Sequence, residues 1–339
     1  MGSVSPGKVW GDIHSTRRAG GLRRTAGGRR SPMIGSGVLA ALFPHPKPSM
    51  DTKRPVADTH IHLWDPGYLT YPWLETVPAI AGSHGVADLQ IQEPETDRFR
   101  LAQIVFMQAG AEDAEAILEA RWVNALADGL DPRITGIVAC APVEQGEAVQ
   151  PVLEDLASMP RVKGVRRLIQ DQPAGYAATP AFAEGVRMLP GYGFSFDLCI
   201  HHHQLGEVTD LVRRCPDVAF ILDHIGKPDI AAGTLDPWRS DLKALSELPN
   251  VVCKISGMAT EADHANWQPD DLKPYVDHVV ECFGEDRIVY GGDWPVSLLA
   301  VKHWGHWVDV LDDLTAHLGP AAQQKLYFDN AVRFYRLPA

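Results

Sequence analysis

The chain has 339 residues, 45% of them hydrophobic and 22% charged, a composition that suits a soluble globular protein with a sizeable core. Its net charge of −12 argues against a nucleic-acid partner, because phosphate binding calls for basic patches. Five scattered cysteines, an odd number without a CxxC pair, favour reduced thiols in a cytoplasmic protein over a disulfide framework.

The charge is uneven. Residues 1–50 carry about +7 and residues 51–339 about −19. The first fifty residues are rich in Gly, Ser, Arg and Pro and show neither helical nor strand periodicity, so a disordered basic leader is expected over 1–50, with Met50 close to the natural start. Arg29-Arg30 ahead of the apolar run Met33–Phe43 offers a second reading, a twin-Arg-like export leader. No apolar run reaches the ~18 residues of a membrane-spanning helix, so no membrane partner is expected.

From residue 51 onward, strand-like and helix-like stretches alternate. Val56–His62 reads as a strand, and its period of two places His60 and His62 on one face. The stretch from Leu63 to Arg100 is dense in Pro, Gly and aromatics, and a loop of that length inside a compact domain is expected to be functional. Strands follow at 103–107, 134–139, 162–168, 194–200, 218–223, 251–255 and 287–290. Helices are expected between them. One over 114–126 has Leu118, Trp122 and Leu126 on a stripe, and one over 147–158 turns Val152, Leu153 and Leu156 inward. One starts at Thr179-Pro180, and others cover 205–214, 238–248, 271–283, 304–318 and 323–335.

Eight strands, each followed by a helix-length segment, predict parallel pairing and an α/β fold of (β/α)8 TIM-barrel type in a single domain over 51–339. An open doubly wound sheet is the alternative, but it would carry a phosphate-binding Gly loop after the first strand, and none is present. In a barrel, all strand ends converge on one face. Histidines at 60, 62, 201–203 and 224 and the aspartate of Gly291-Gly292-Asp293-Trp294-Pro295 would then meet, although they span most of the chain. A buried Asp at a strand end needs a metal, a cation or a hydrogen-bond network to hold it. Imidazoles with a carboxylate make a ligand set for a divalent ion such as zinc.

These stretches, taken in order, carry a resemblance. Asp58-Thr59-His60-Ile61-His62-Leu63-Trp64-Asp65, Gly164-Val165-Arg166-Arg167-Leu168, Leu222-Asp223-His224-Ile225-Gly226-Lys227-Pro228, Lys254-Ile255-Ser256-Gly257 and Gly292-Asp293-Trp294-Pro295 resemble the amidohydrolase superfamily. The branch is amidohydrolase-2, and within it the chain is most similar to sugar-lactone hydrolases of the L-fuconolactonase type. The resemblance runs from about Val56 to Leu337. It implies a metal-assisted hydrolase of carbohydrate metabolism that opens an aldonolactone, a small-molecule sugar lactone, by attack of an activated water, acting as a monomer or homodimer.

The resemblance assigns His60, His62, His203 and Asp293 to one metal ion, with zinc the best match and metal-independent catalysis as an alternative. His201 competes with His203 for the fifth-strand position. Asp293 is implied as the general base, with His224 and His203 as further catalytic groups. Gln108, Arg166, Lys227, Trp64 and Trp294 are implied as substrate-binding. An amidohydrolase-2 decarboxylase, or another ester or lactone hydrolase acting on a small carboxylated substrate, is the competing activity.

Overall fold

A computed structural model of the chain describes residues 53–92 and 96–338; the expected leader over 1–50 lies outside the described residues. The strands are β1 (Arg54–Ile61), β2 (Phe99–Met107), β3 (Ile134–Cys140), β4 (Val162–Arg166), β5 (Ser195–Leu198), β6 (Phe220–Leu222), β7 (Val251–Ile255) and β8 (Ile288–Tyr290). They pair in parallel and in chain order from β1 to β8. Every strand is nearly continuous in buried residues, as a parallel sheet covered on both faces requires. The chain is a (β/α)8 barrel.

The barrel closes in an unusual place. No ladder joins β1 to β8 along their length. Instead Thr59 Oγ1 donates to the Tyr290 carbonyl at 2.6 Å. Beyond the strand ends the Asp293 N–H donates to the His60 carbonyl at 2.7 Å, and the His62 N–H to the Trp294 carbonyl at 2.7 Å. The backbone of the candidate site residues therefore makes the seam.

Helices cover the outside: α1 (Val86–Gln92), α2 (Ala116–Gly129), α3 (Gln150–Ala157), α4 (Pro180–Met188), α5 (Leu205–Arg214), α6 (Trp238–Ser246), α7 (Pro269–Phe283) and α8 (Trp304–Leu314). Helix α4 begins as its sequence suggests: Thr179 Oγ1 accepts the Phe182 N–H at 3.2 Å, with Pro180 in the first turn. Helix α5 turns Val208, Leu211 and Val212 inward. Helix α2 is rotated from the expected stripe. Ala120, Val123 and Ala127 face the barrel while Leu118 is 46% exposed, because small residues let the helix approach closely and leave room for the buried Glu119.

The segment after β1 is not bare loop. It folds into 3-10 turns over Pro72–Thr76 and Pro78–Ile80 and into α1, around a small core of Trp64, Leu69, Tyr71, Leu74 and Ile80. At the C-terminus the single helix expected over 323–335 is interrupted. A π turn (Lys325–Asp329) separates α9 (Pro320–Gln324) from α10 (Asn330–Tyr335). Residues Ala331, Tyr335 and Leu337 join Ala57, Val105, Val138 and Val289 in a cluster that fills the barrel interior. Asn330 Nδ2 donates to the carbonyls of Glu285 and Ile288, so this plug caps the amino ends of the strands and leaves the carboxyl ends for chemistry.

Candidate active site

Three ligand-type atoms converge at the β1–β8 seam. His60 Nε2 and His62 Nε2 stand 3.2 Å apart. Asp293 Oδ1 lies 3.6 Å from the first and 3.5 Å from the second. Ligands of a tetrahedral zinc, each ~2.0–2.2 Å from the ion, are separated by about 3.4 Å, so these spacings fit that ion without rearrangement. His62 Nδ1 is 2.9 Å from the Met107 carbonyl, which makes Nδ1 the donor and leaves a lone pair on Nε2. His224 is the fourth member of the cluster: its ligand nitrogen, one from His60 and an Asp293 oxygen all lie within 4.8 Å of one another.

The backbone that presents these groups is strained. Asp293 has φ +54°, His224 +52° and Lys227 +47°, all in the left-handed region that side chains avoid. Next to His224, Gly257 (φ +61°) leaves the only room for the ring, since a Cβ there would meet His224 Nδ1 at 2.4 Å. Ser256 Oγ lies 2.9 Å from the same Nδ1.

Protonation follows from burial. Burial pushes the imidazole of His224 down to about 4 and those of His60 and His62 below their ordinary value. Burial alone would raise the Asp293 carboxyl, but His224, His62 and His60 around it hold it below the usual carboxylate range. Neutral imidazoles beside an ionised carboxylate are the form in which this donor set takes a metal ion.

A second layer, fully buried, holds the first. Asp58 accepts the Gly292 N–H at 2.8 Å, the His60 N–H at 2.9 Å and Trp304 Nε1–H at 2.7 Å, tying β1 to the loop that carries Asp293. Lys254 Nζ lies 2.8 Å from Asp223 Oδ1, 3.0 Å from Asp197 Oδ2 and 3.3 Å from His60 Nδ1. Arg166 Nη1 donates to Asp223 Oδ2 at 3.1 Å and Nη2 to the Gln108 carbonyl at 2.6 Å. Sequence reasoning assigned no role to Asp58, Asp197, Asp223 or Lys254. The signal it had was adjacency: Asp58 and Asp223 stand within two residues of candidate histidines.

A cavity of about 630 Å³ opens above this floor, lined by His62, Arg166, His224, Lys227 and Asp293 among others. His60 lies beneath it, with no exposed surface. The other expected site residues are elsewhere. The strand expected to deliver His203 stops at Leu198; His203 falls in a 3-10 turn (His202–Gln204) and points to solvent, stacked on His201 with 5.8 Å between ring centroids. The fifth-strand position that the resemblance gives to His203 or His201 is not met, because the strand has ended before both and His203 lies in a turn.

Trp64 and Trp294 are packing residues, each without exposed surface. Trp64 Nε1 donates to the Gly82 carbonyl and Trp294 Nε1 to Gln92 Oε1. The aromatic wall of the cavity is Trp73 instead, held by Nε1–H donation to the Ala109 carbonyl. Gln108 does not line the cavity, and its amide oxygen accepts the Gly110 N–H at 2.7 Å.

The sequence model of the amidohydrolase family matches residues 57–337. An L-fucono-1,5-lactonase of Burkholderia ambifaria is 30% identical over 293 residues, covering 83% of this chain and 95% of that protein. An L-rhamnono-gamma-lactonase of Scheffersomyces stipitis is 26% identical over 199 residues, covering 52% and 59%. A crystal structure of an amidohydrolase from Burkholderia multivorans with bound zinc superposes with a TM-score of 0.74 at 27% identity, covering 84% of this chain and all of that one.

Proposed function

The chain belongs to the amidohydrolase family and is a hydrolytic enzyme, and from that premise we propose that it opens a sugar lactone, with Asp293 as the base that activates water. The observation that carries this reading is the meeting of His60 Nε2, His62 Nε2 and Asp293 Oδ1 within 3.6 Å of one another at the floor of a cavity that also presents His224 and Lys227.

The water oxygen adds to the lactone carbonyl carbon while Asp293 takes its proton. The ring C–O bond then breaks, and the proton passes from Asp293 to the departing alkoxide. The product is an open-chain hydroxy acid, which releases a proton to solvent at neutral pH. His224 is neutral there. In the tautomer whose Nδ1 accepts from the Ser256 hydroxyl 2.9 Å away, the imidazole proton sits on Nε2, a donor for the carbonyl oxygen as negative charge builds on it. Lys227 offers an ammonium to a ring hydroxyl.

His60, His62 and Asp293 fit a single divalent ion, for which zinc is the best match to two imidazoles and a carboxylate. A low-lying carboxylate is always ionised but a weak base, and such an ion, when bound, supplies what it lacks by acidifying water toward a pKa of about 7 and polarising the carbonyl.

Decarboxylation fits less well, because it calls for more than one cation to grip a substrate carboxylate, and Lys227 is the one cavity-lining cation among the described residues without a carboxylate partner. Both terminal nitrogens of Arg166 are already engaged by Asp223 and the Gln108 carbonyl.

The test is acid release, followed with a pH indicator, from a panel of aldonolactones before and after removal of metal by a chelator. Turnover of at least one lactone, lost on chelation and restored by zinc, is the expected result. Folded, zinc-loaded protein that opens none of them would overturn the reading. Full turnover by verified metal-free protein would remove the ion and leave Asp293 as the base.

A further inference from the structure

The cavity is not electrically balanced. Five carboxylates line it, from Glu112, Asp113, Asp171, Glu261 and Asp293, against two cations, Arg166 and Lys227. Asp113 is paired with Arg167, and Arg166 is neutralised by Asp223. Asp171 lies 3.2 Å from His201 Nε2. Glu112 is exposed to solvent. Away from the catalytic floor, that leaves Lys227 and Glu261 as the charges set into the cavity wall, on the turns after the neighbouring strands β6 and β7, with no salt bridge between them among the described residues.

Their surroundings are arranged for ligand. Lys227 Nζ donates to Gln170 Oε1 at 2.6 Å, which fixes the ammonium and leaves it further hydrogens. Glu261 ends the 3-10 turn Ala259–Glu261 beyond β7. Its backbone is held on both sides, by N–H donation to the Met258 carbonyl and by the Ala231 N–H donating to its own carbonyl. Its side chain is half-buried, and the Lys227 ammonium acts against the effect of that burial on its carboxyl.

We infer that Glu261 is a specificity-determining residue that, with Lys227, selects uncharged polyhydroxylated lactones and turns away lactones bearing a carboxylate. This rests on the lactone-hydrolase reading of the same site.

The chemistry is that of the two partners. An ammonium only donates hydrogen bonds and a carboxylate only accepts them, whereas a hydroxyl does both. A sugar hydroxyl placed between Lys227 and Glu261 accepts from one and donates to the other. A substrate carboxylate in that place can satisfy only Lys227 and is repelled by Glu261 in a partly dehydrated cavity, the kind of like-charge clash that sets specificity. Burial raises the Glu261 carboxyl above its ordinary range, and this matches a side chain that gains by accepting a hydroxyl proton.

The experiment compares kcat/KM for a neutral aldonolactone and for the lactone of the same ring size whose terminal CH₂OH is oxidised to a carboxylate. It uses the full zinc-loaded chain as wild type, Glu261→Gln and Glu261→Lys, with melting temperatures recorded for all three. The wild type should favour the neutral lactone. Glu261→Gln should reduce that preference by ~10-fold or more through the KM of the charged lactone, and Glu261→Lys should reduce it further. A wild type that prefers the carboxylated lactone overturns the inference, and so does an unchanged ratio in both folded variants. In either case the lactone-hydrolase reading stands. If the wild type opens neither lactone, that reading falls, and the inference with it.

Discussion

At the floor of the cavity, one carboxylate, Asp58, accepts three hydrogen bonds, and Asp223 and Asp197 share a buried lysine. At the rim, Lys227 and Glu261 hold their charges without salt bridges, on turns that follow β6 and β7. Both regions are built at the carboxyl ends of the same strands. In the proposed reaction the floor carries the chemistry, and its atoms also close the barrel, so a change there would touch reaction and stability together. The rim takes no part in strand pairing, so under the proposal its side chains set which substrate is accepted while the fold stays as it is.

The sharpest way to break this comparison is at Asp58. Asp58→Ala would leave the N–H groups of Gly292, His60 and Trp304 buried without an acceptor. At roughly 1–3 kcal/mol for each unsatisfied group, the expected loss is on the order of several kcal/mol, with activity lost alongside. Chemical denaturation measures it. A stable, active Asp58→Ala protein would show that the seam does not depend on this carboxylate.

A smaller effect is expected just beneath the rim. Glu119 Oε1 accepts the Ala109 N–H at 3.1 Å, and burial pushes its carboxyl up to about 7. Because the folded-state value is raised, the folded chain holds its proton while the unfolded chain releases it. Stability is then complete below the ordinary carboxylate range and falls as pH rises toward about 7. Glu119→Gln should flatten this decline, as denaturation midpoints at about pH 5 and about pH 8 would reveal. An unchanged slope would show that Glu119 is ionised when folded.

The rim itself should respond in the opposite way. Lys227→Gln is expected to raise KM for a neutral lactone by roughly 10-fold, through one lost charged hydrogen bond, with little change in melting temperature. The smallest effect belongs to Leu118, 46% exposed on α2. Leu118→Gln should move stability by no more than about 0.5 kcal/mol, the ordinary range for a surface position.

The same division explains what could be read from the sequence. The eight strands were legible because buried parallel strands leave unbroken apolar runs. That His60, His62 and Asp293 come together was legible because they sit where those runs end. His203 was placed by its family position at the end of the fifth strand, whereas β5 stops at Leu198 and a 3-10 turn begins at His202. Trp64 and Trp294 carry the right chemistry for a sugar face, yet sequence does not say which of several neighbouring indoles is buried, and it is Trp73 that lines the cavity. The stripe on α2 favoured Leu118 by size, whereas packing selected small Ala120 and Ala127. The Lys254–Asp223–Asp197 network was invisible because its members come from three strands and meet only when the barrel closes.

The central claim is that Asp293 moves the proton in lactone opening, and Asp293→Asn tests it most directly. Asparagine tolerates the left-handed backbone at φ +54° and keeps the size of the side chain, but it cannot take a proton. Turnover and thermal stability should be measured on the same preparation. The account predicts a kcat reduced by ~10²–10⁴-fold with KM and melting temperature little changed, the loss expected for a general base. Near-wild-type kcat in a stably folded Asp293→Asn protein would contradict it.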